Sequence, residues 1–464
     1  MPASRTTHAG LSRDAAIAWL DRRVNYERLT PVGPGGASVF GLGRMRRLLT
    51  LIGRPQDRFP VVHVAGTKGK GSTVAMVAAI LSSAGHRTGC YLSPHVRDIE
   101  ERISVDGRPI SAADLVRSFA TVIPAVERLD TTAARRGLRG PTWFEVVTAV
   151  AFDQFARQRV AIAVLETGLG GRLDATNVSR PLVSVITSIS LDHMAVLGPT
   201  EKHIAAEKAG IIKRGSPVVC GARGSGARAV IATTAARRRA AVLQIDRDFL
   251  VTHSVSKSAG ELGGGVLGFT PVAKVPGASA EYSLAMTGRH QADNAALAVV
   301  TVRLLGERGY QVPERAVHRG LAAVRLPARI EPILRRPLVV LDAAHNVASM
   351  RSLMETLQDA LAAAAGRQAP RVLLFAASAD KQIEEMLALC KGSFDHVVVT
   401  RYVTNPRAAP IARLVAACRA AGLPVPQSAP NPVLALQQAR QMATPRGVVC
   451  IAGSFFLATE INAR

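Results

Sequence analysis

From residue 61 onward the chain alternates short, uninterrupted apolar runs with longer stretches whose apolar residues recur every three or four positions. Val61, Val62 and Val64 form a β-branched run that stops at Gly66. Similar runs lie at 88–92, 160–166, 182–189 and 217–220. Runs apolar on both faces and separated by helical spacing are the pattern of a parallel sheet covered on both sides. The spacing predicts helices over 74–84, from Ser111 to about Leu129, from a Thr142 cap through Phe155, and over 201–213 and 288–305. Upstream, 11–52 carries helical spacing broken by the PVGPGG turn at 31–36. Residues 101–111 and 131–141 read as loops, and 221–285 as short strands around a glycine-rich turn at 260–265.

Two prolines bracket the connector VRLPARIEP at 324–332, after which the pattern restarts. Strand-like runs at 338–345, 371–378, 396–400 and 447–454 alternate with helical stretches at 348–365, 381–390, 408–421 and 431–443. A chain of 464 residues is too long for one ordinary core. The expected fold is α/β: a P-loop NTPase-like parallel-sheet domain over 1–325, N-terminal helices included, and a smaller Rossmann-like α/β domain over 326–464.

Composition narrows the function classes. Apolar residues make up 48% and charged residues 20%, which fits a globular chain and not a disordered one. No apolar run reaches membrane-spanning length, and MPASRTTHAG lacks the apolar centre of a signal peptide, so a cytoplasmic protein without membrane association is expected. The five cysteines are scattered and form no C-x-x-C pair, which points to free thiols and not to zinc or disulfides. The formal charge of +24 suits polyanionic partners. With aromatics at 4% and no basic run interleaved with them, nucleic acid is not the expected partner. A basic cleft for anionic substrates and a merely solvated basic surface both fit the charge.

The chemistry centres on VVHVAGTKGKGSTV at 61–74. A strand, a glycine-rich turn and a helix N-terminus make a phosphate cradle, with Lys70 reaching the distal phosphates. The spacing departs from the usual nucleotide loop, because Gly71 separates Lys70 from Ser72, so an ordinary glycine turn is the bland reading. Glu166 ends a buried run and precedes TGLGGRLDATN, where Gly168, Gly170 and Gly171 permit close backbone approach. A carboxylate there suits Mg²⁺; pairing with Arg172 is the alternative. Asp192-His193 follows the next strand on the same edge, as a metal or phosphate ligand or as a structural histidine. Glu207-Lys208 reads from its residues alone as a solvated helical ion pair. Asp342 and His345-Asn346 either face a nucleotide across a cleft or, for Asp342, cap the next helix. Arg329 could touch phosphate from the connector.

The ordered set GTKGKGS, SPH, ERISVDG, TWFE, ETGLGGRLDATN, the DH pair, EKAGI, GRHQADNA, LPARIE and DAAHN resembles the folylpolyglutamate synthase/dihydrofolate synthase family, the folate branch of the Mur ligases. The resemblance implies an ATP-dependent amide ligase that joins L-glutamate to a folate or dihydropteroate carboxylate through an acyl phosphate, as a bifunctional dihydrofolate/folylpolyglutamate synthase. It implies a Mur-ligase-type ATP-binding central domain and a C-terminal glutamate-ligase domain. By motif, Gly66, Thr67, Gly69, Lys70, Gly71 and Ser72 would hold ATP phosphates, and Asn294, Arg329 and Asp342 the nucleotide. Ser93, Glu166 and His193 would ligate two Mg²⁺ ions. Lys208 would be carbamylated, replacing the solvated reading, and His345 would join the catalytic group. Thr142, Trp143, Phe144, Glu145, Leu173, Asp174 and Ala175 match segments lining the pterin region. A monomer is expected. Departures from the family pattern are Lys68 for the usual Asn, Val347 for Pro, and the Val96-Arg97 pair; they bear on substrate detail. Alternatives are a Mur ligase acting on UDP-muramyl peptides, a nucleic-acid-stimulated P-loop ATPase, and a non-catalytic nucleotide-binding module. The extra Gly71, TWFE and LGGRLDATN argue against the first.

Overall fold

A computed structural model describes residues 10–27, 40–256, 264–272, 274–366 and 368–462. Five consecutive buried residues make Val61–Ala65 (β1) a central strand. With β2 (Thr88–Tyr91), β3 (Ile103–Val105), β4 (Arg108–Pro109), β5 (Ile162–Glu166), β6 (Pro181–Ile186), β7 (Val218–Cys220) and β8 (Val242–Gln244) it forms an eight-stranded sheet. The order is β4-β3-β2-β5-β1-β6-β7-β8, parallel from β2 to β8, with β3 and β4 added antiparallel.

The alternation of side chains along β1 explains the two layers. Val62 and Val64 pack with helices 70–83, 289–306 and 314–323, and with the three-stranded antiparallel sheet of β9 (Phe249–Ser256), β10 (Gly264–Pro271) and β11 (Ala280–Leu284). Val61 packs on the opposite side with helices 13–21, 42–51, 112–134 and 143–157. Since β5 and β6 flank β1, the ends of all three strands meet at one edge. That edge is where doubly wound sheets bind ligands.

A second sheet follows the connector: β12 (Glu331–Arg335), β13 (Leu338–Leu341), β14 (Arg371–Phe375), β15 (His396–Val399), β16 (Gln427–Ser428) and β17 (Val448–Ala452). Its order is β12-β13-β17-β14-β15-β16, parallel except for β12. Helices 347–366, 383–388 and 411–420 cover one face, and helices 432–443 and 455–462 the other. The α/β expectation therefore holds for both sheets.

Several elements differ from the sequence reading. Residues 101–111 are not a loop: β3 and β4 form a hairpin whose turn residues, Asp106 (φ 50°) and Gly107 (φ 75°), both take positive φ. Helix 112–134 runs into the expected 131–141 loop, and the helix expected over 201–213 ends at Ala209. The 221–285 region contains helix Ser225–Arg237 as well as strands; its buried stripe, only Ala227, Ile231 and Ala235, leaves little periodicity to read. Helices Glu314–Ala323 and Phe455–Asn462 were also not expected. The predicted turn at 31–36 and most of that at 260–265 fall outside the described residues; Gly264 and Gly265 belong to β10. All five cysteines are free and buried, and no described helix is long and apolar enough to cross a membrane.

Candidate active site

The first turn after β1 is built by two clamps. Thr67 N donates to Ser188 O (2.7 Å) and Lys68 N to Ser188 Oγ (3.0 Å), while Thr187 Oγ1 donates to Lys68 O (2.6 Å). Gly69 has φ 80°, and a Cβ there would collide with the Asn294 amide. The chain therefore turns tightly into helix 70–83 with Asn294 against it, and Ser72 is buried in the first helical turn. Free N–H groups and positive dipole end thus face the sheet edge.

Glu166, at the end of β5, is buried next to that turn. Its Oε2 accepts from Ser93 N (3.0 Å), and its Oε1 lies 3.9 Å from Lys70 Nζ. Burial raises the carboxyl pKa, against the pull of Lys70 and the Ser93 amide. Arg172 takes a different partner, Glu207 (2.8 Å), so the alternative pairing with Glu166 is not formed. Lys208 is no solvated ion pair either. It is buried and donates to Gly66 O (2.7 Å), and burial together with Lys70 pushes its amine down to about 7. His193 adopts φ 50° at the cleft rim, half-exposed, beside Asp192 (3.9 Å).

The second sheet supplies the opposite wall. Asp342, at the end of β13, accepts from Ile330 N (2.8 Å) and Ala344 N (2.7 Å), so it braces the connector around Arg329 instead of capping helix 347–366. Asn346 is the cap, accepting from Ser349 N (3.0 Å). His345 Nδ1 bonds Ala343 O (2.8 Å), which fixes the proton on Nδ1 and leaves Nε2 an acceptor. Lys68 and burial hold this imidazole well below its ordinary pKa, hence neutral.

All the residues expected at the site line one cleft of about 1160 Å³. Those matched to the pterin region form its far wall. Thr142 and Glu145 satisfy one another in a capping box, and Glu145 also pairs with Arg44 (3.1 Å). Trp143 is buried and donates to Asp21 (3.1 Å). Phe144 stands under Gly168, while Asp174, between Leu173 and Ala175, accepts from Leu169 N (2.9 Å) and Thr176 N (3.0 Å). Arg102 and Lys381 are among the cleft residues that were not singled out from sequence. Arg102 is buried, holds both Glu27 oxygens (2.8 and 2.6 Å) and lies 4.6 Å over the Trp143 ring. Its signal was the ERISVDG motif. Lys381 lies 3.7 Å from Asp192 and carries no local signal.

Among the described residues no group of three or more His, Cys, Asp and Glu side chains could hold a metal by itself. The buried Glu166 carboxylate, held by the Ser93 amide, has the donor chemistry of an ion such as Mg²⁺ that shares substrate phosphate oxygens and keeps waters.

Comparison with known proteins agrees with this architecture. Residues 141–302 match the Mur ligase middle domain and 328–455 the Mur ligase glutamate ligase domain. The chain is 38% identical over 414 residues to the dihydrofolate synthase/folylpolyglutamate synthase of Mycobacterium tuberculosis, covering 86% of this chain and 80% of the relative. The chain belongs to the folylpolyglutamate synthase/dihydrofolate synthase family. A Bacillus subtilis dihydrofolate synthase/folylpolyglutamate synthase is 37% identical, over 75% of this chain and 77% of its own. The M. tuberculosis folylpolyglutamate synthase solved with ADP and AMPPCP superposes with TM-score 0.83 at 34% identity, covering 97% of this chain and 98% of that one. The two-sheet fold of this family member is therefore the fold of that synthase.

Proposed function

We propose that the chain ligates L-glutamate to folate and dihydropteroate carboxylates at the expense of ATP, as a bifunctional dihydrofolate/folylpolyglutamate synthase. The observation that carries this reading is one cleft with Lys70 and Glu166 on its floor, the pterin-matched segments on one wall and Asp342 and His345 on the other. Relatives named for both activities support it, as does a solved folylpolyglutamate synthase with AMPPCP and folate that matches with TM-score 0.78 at 29% identity.

In this reading the chain divides near residue 325, with 326–464 as the glutamate-ligase part. An acceptor carboxylate is a poor electrophile, so its oxygen attacks the γ-phosphorus of ATP and ADP leaves. The amine of glutamate then adds to the acyl carbon, and phosphate departs from the tetrahedral intermediate. Gly66, Thr67, Gly69, Gly71 and Ser72 orient the phosphates and Lys70 shields their charge, so that an anion can approach. Asn294, Arg329 and Asp342 hold the nucleotide. Ser93, Glu166 and His193 would hold two Mg²⁺ ions, which supply further charge neutralisation when bound. Phe144, Leu173, Asp174 and Ala175, backed by Thr142, Trp143 and Glu145, seat the pterin.

Carbamylation of Lys208 is supported by its amine pKa of about 7: the neutral amine adds CO₂ through a new N–C bond and releases one proton, leaving an anion where an ordinary lysine carries a cation. Five free, buried thiols support a reducing, cytoplasmic setting, and we read the enzyme as a monomer. The test is labelled glutamate with ATP and Mg²⁺, offered dihydropteroate and tetrahydrofolate separately. Incorporation into both acceptors is expected. Incorporation into neither would refute the ligase reading, and into one alone the bifunctional reading.

A further inference from the structure

Asp192 is a meeting point for the two sheets. Its Oδ2 accepts from Lys68 Nζ (2.9 Å), on the phosphate turn, and from Asn346 Nδ2 (3.1 Å), at the end of β13. Lys381 Nζ, beyond β14, lies 3.7 Å from Oδ1. Lys68 has a second contact across the cleft, 3.3 Å to His345 Nε2. The direction of that bond follows from proton accounting. Ala343 O can only accept, so His345 keeps its proton on Nδ1, and Nε2 must accept from the ammonium. One amine therefore joins the phosphate turn to a carboxylate of its own sheet and to an imidazole of the other.

The backbone leaves Lys68 little choice of direction. Its N–H donates to Ser188 Oγ and its carbonyl accepts from Thr187 Oγ1 and Ser188 Oγ (3.1 Å), so the residue is pinned on both sides. Its side chain is 26% exposed and that of Asp192 9%, which shelters the pair from the screening that makes surface ion pairs weak. Lys70, two residues on, faces Glu166 instead. The two lysines of the turn thus have different addresses: one looks into the sheet edge and the other across the cleft.

We propose that Lys68 is a positioning residue that latches the phosphate turn to the C-terminal sheet through Asp192 and His345, and so sets the closed arrangement in which the glutamate-accepting half meets the activated carboxylate. The role rests on the ligase reading. It separates Lys68 from the lysine that serves the phosphates: losing the latch impairs the step that needs the closed arrangement more than it impairs nucleotide binding, since Gly66, Thr67, Gly69, Lys70, Gly71, Ser72 and Asn294 stay in place on the first sheet's side.

The experiment compares wild type, Lys68→Met and Lys68→Arg in the full chain, with ¹⁵N-histidine labelling and His345→Gln to assign the His345 resonance. In Lys68→Met the His345 Nε2 resonance shifts, as it loses a donated hydrogen bond. Glutamate-dependent turnover, as kcat/KM for glutamate, falls about tenfold, the scale of one charge-assisted hydrogen bond. Equilibrium binding of AMPPCP changes less than about threefold, and Lys68→Arg recovers most of the turnover. Weakened AMPPCP binding with an unmoved His345 resonance would make Lys68 a phosphate contact and overturn the latch. An unmoved resonance with unchanged kinetics would overturn it too. Wild-type enzyme without folate-dependent ADP release would refute the ligase reading instead, and the His345 resonance would still decide the contact.

Discussion

Lys208 Nζ donates to the carbonyl of Gly66 at 2.7 Å, so a buried amine on helix Glu201–Ala209 touches the first residue of the phosphate turn. Burial and the nearby Lys70 bring this amine to about 7, against 10.5 for an ordinary lysine. Only the neutral form reacts with CO₂, so carbamylation increases as pH rises through about 7. At fixed dissolved CO₂, addition of CO₂ is expected to activate CO₂-depleted enzyme at about pH 8 and much less at about pH 6. Lys208→Met should abolish that response. A CO₂-independent rate at both pH values in depleted enzyme would contradict the assignment.

The same shift has a stability consequence. Between about pH 7 and 10.5 the unfolded chain holds a proton on Lys208 that the unmodified folded chain lacks, so stability from this group rises with pH across that window. Below about pH 7 both states are protonated, and the full penalty of burying the charge applies. Lys208→Met is therefore expected to stabilise the CO₂-free protein more at about pH 6 than at about pH 9, measured by urea unfolding at each pH.

Lys70 should be separable from the fold. It is partly exposed, and its nearest ionic neighbour is Glu166 at 3.9 Å. Lys70→Ala is expected to lower glutamate-dependent ADP formation by about 10²–10³-fold, as for loss of a group aimed at developing charge. Far-UV circular dichroism should be unchanged. Undiminished turnover in that variant would remove Lys70 from the mechanism.

How much of this was readable beforehand depended on where burial wrote its pattern. Strands buried on both faces, such as β1 and β5, announce themselves as unbroken apolar runs, and with them came the phosphate turn and Glu166. Helix 225–237 did not, since three buried residues among alanines and arginines give too thin a stripe. The Asp106-Gly107 hairpin was legible, because Asp-Gly between short strands is a turn signal, and reading 101–111 as a loop overlooked it. Lys208 shows the deeper limit. Its neighbour Glu207 suggests an ion pair, yet Arg172 takes Glu207 and the Gly66 carbonyl takes Lys208. Those partners come from other strand ends, and only the sheet order brings them together.

Gly69 tests the cradle without touching a charge. Any side chain there meets the Asn294 amide at a backbone φ of 80°. Gly69→Ala is expected to lower stability by about 1–3 kcal/mol and to weaken AMPPCP binding measured by calorimetry. Unaltered binding would place the nucleotide elsewhere.

The most direct test of the account follows an oxygen atom. Folate carrying ¹⁸O in its γ-carboxylate is turned over with ATP, Mg²⁺ and glutamate, and the released phosphate is analysed by mass. The acyl-phosphate route transfers one carboxylate oxygen to each phosphate, so singly labelled phosphate should form in step with the new amide. Unlabelled phosphate accompanying amide formation would contradict it.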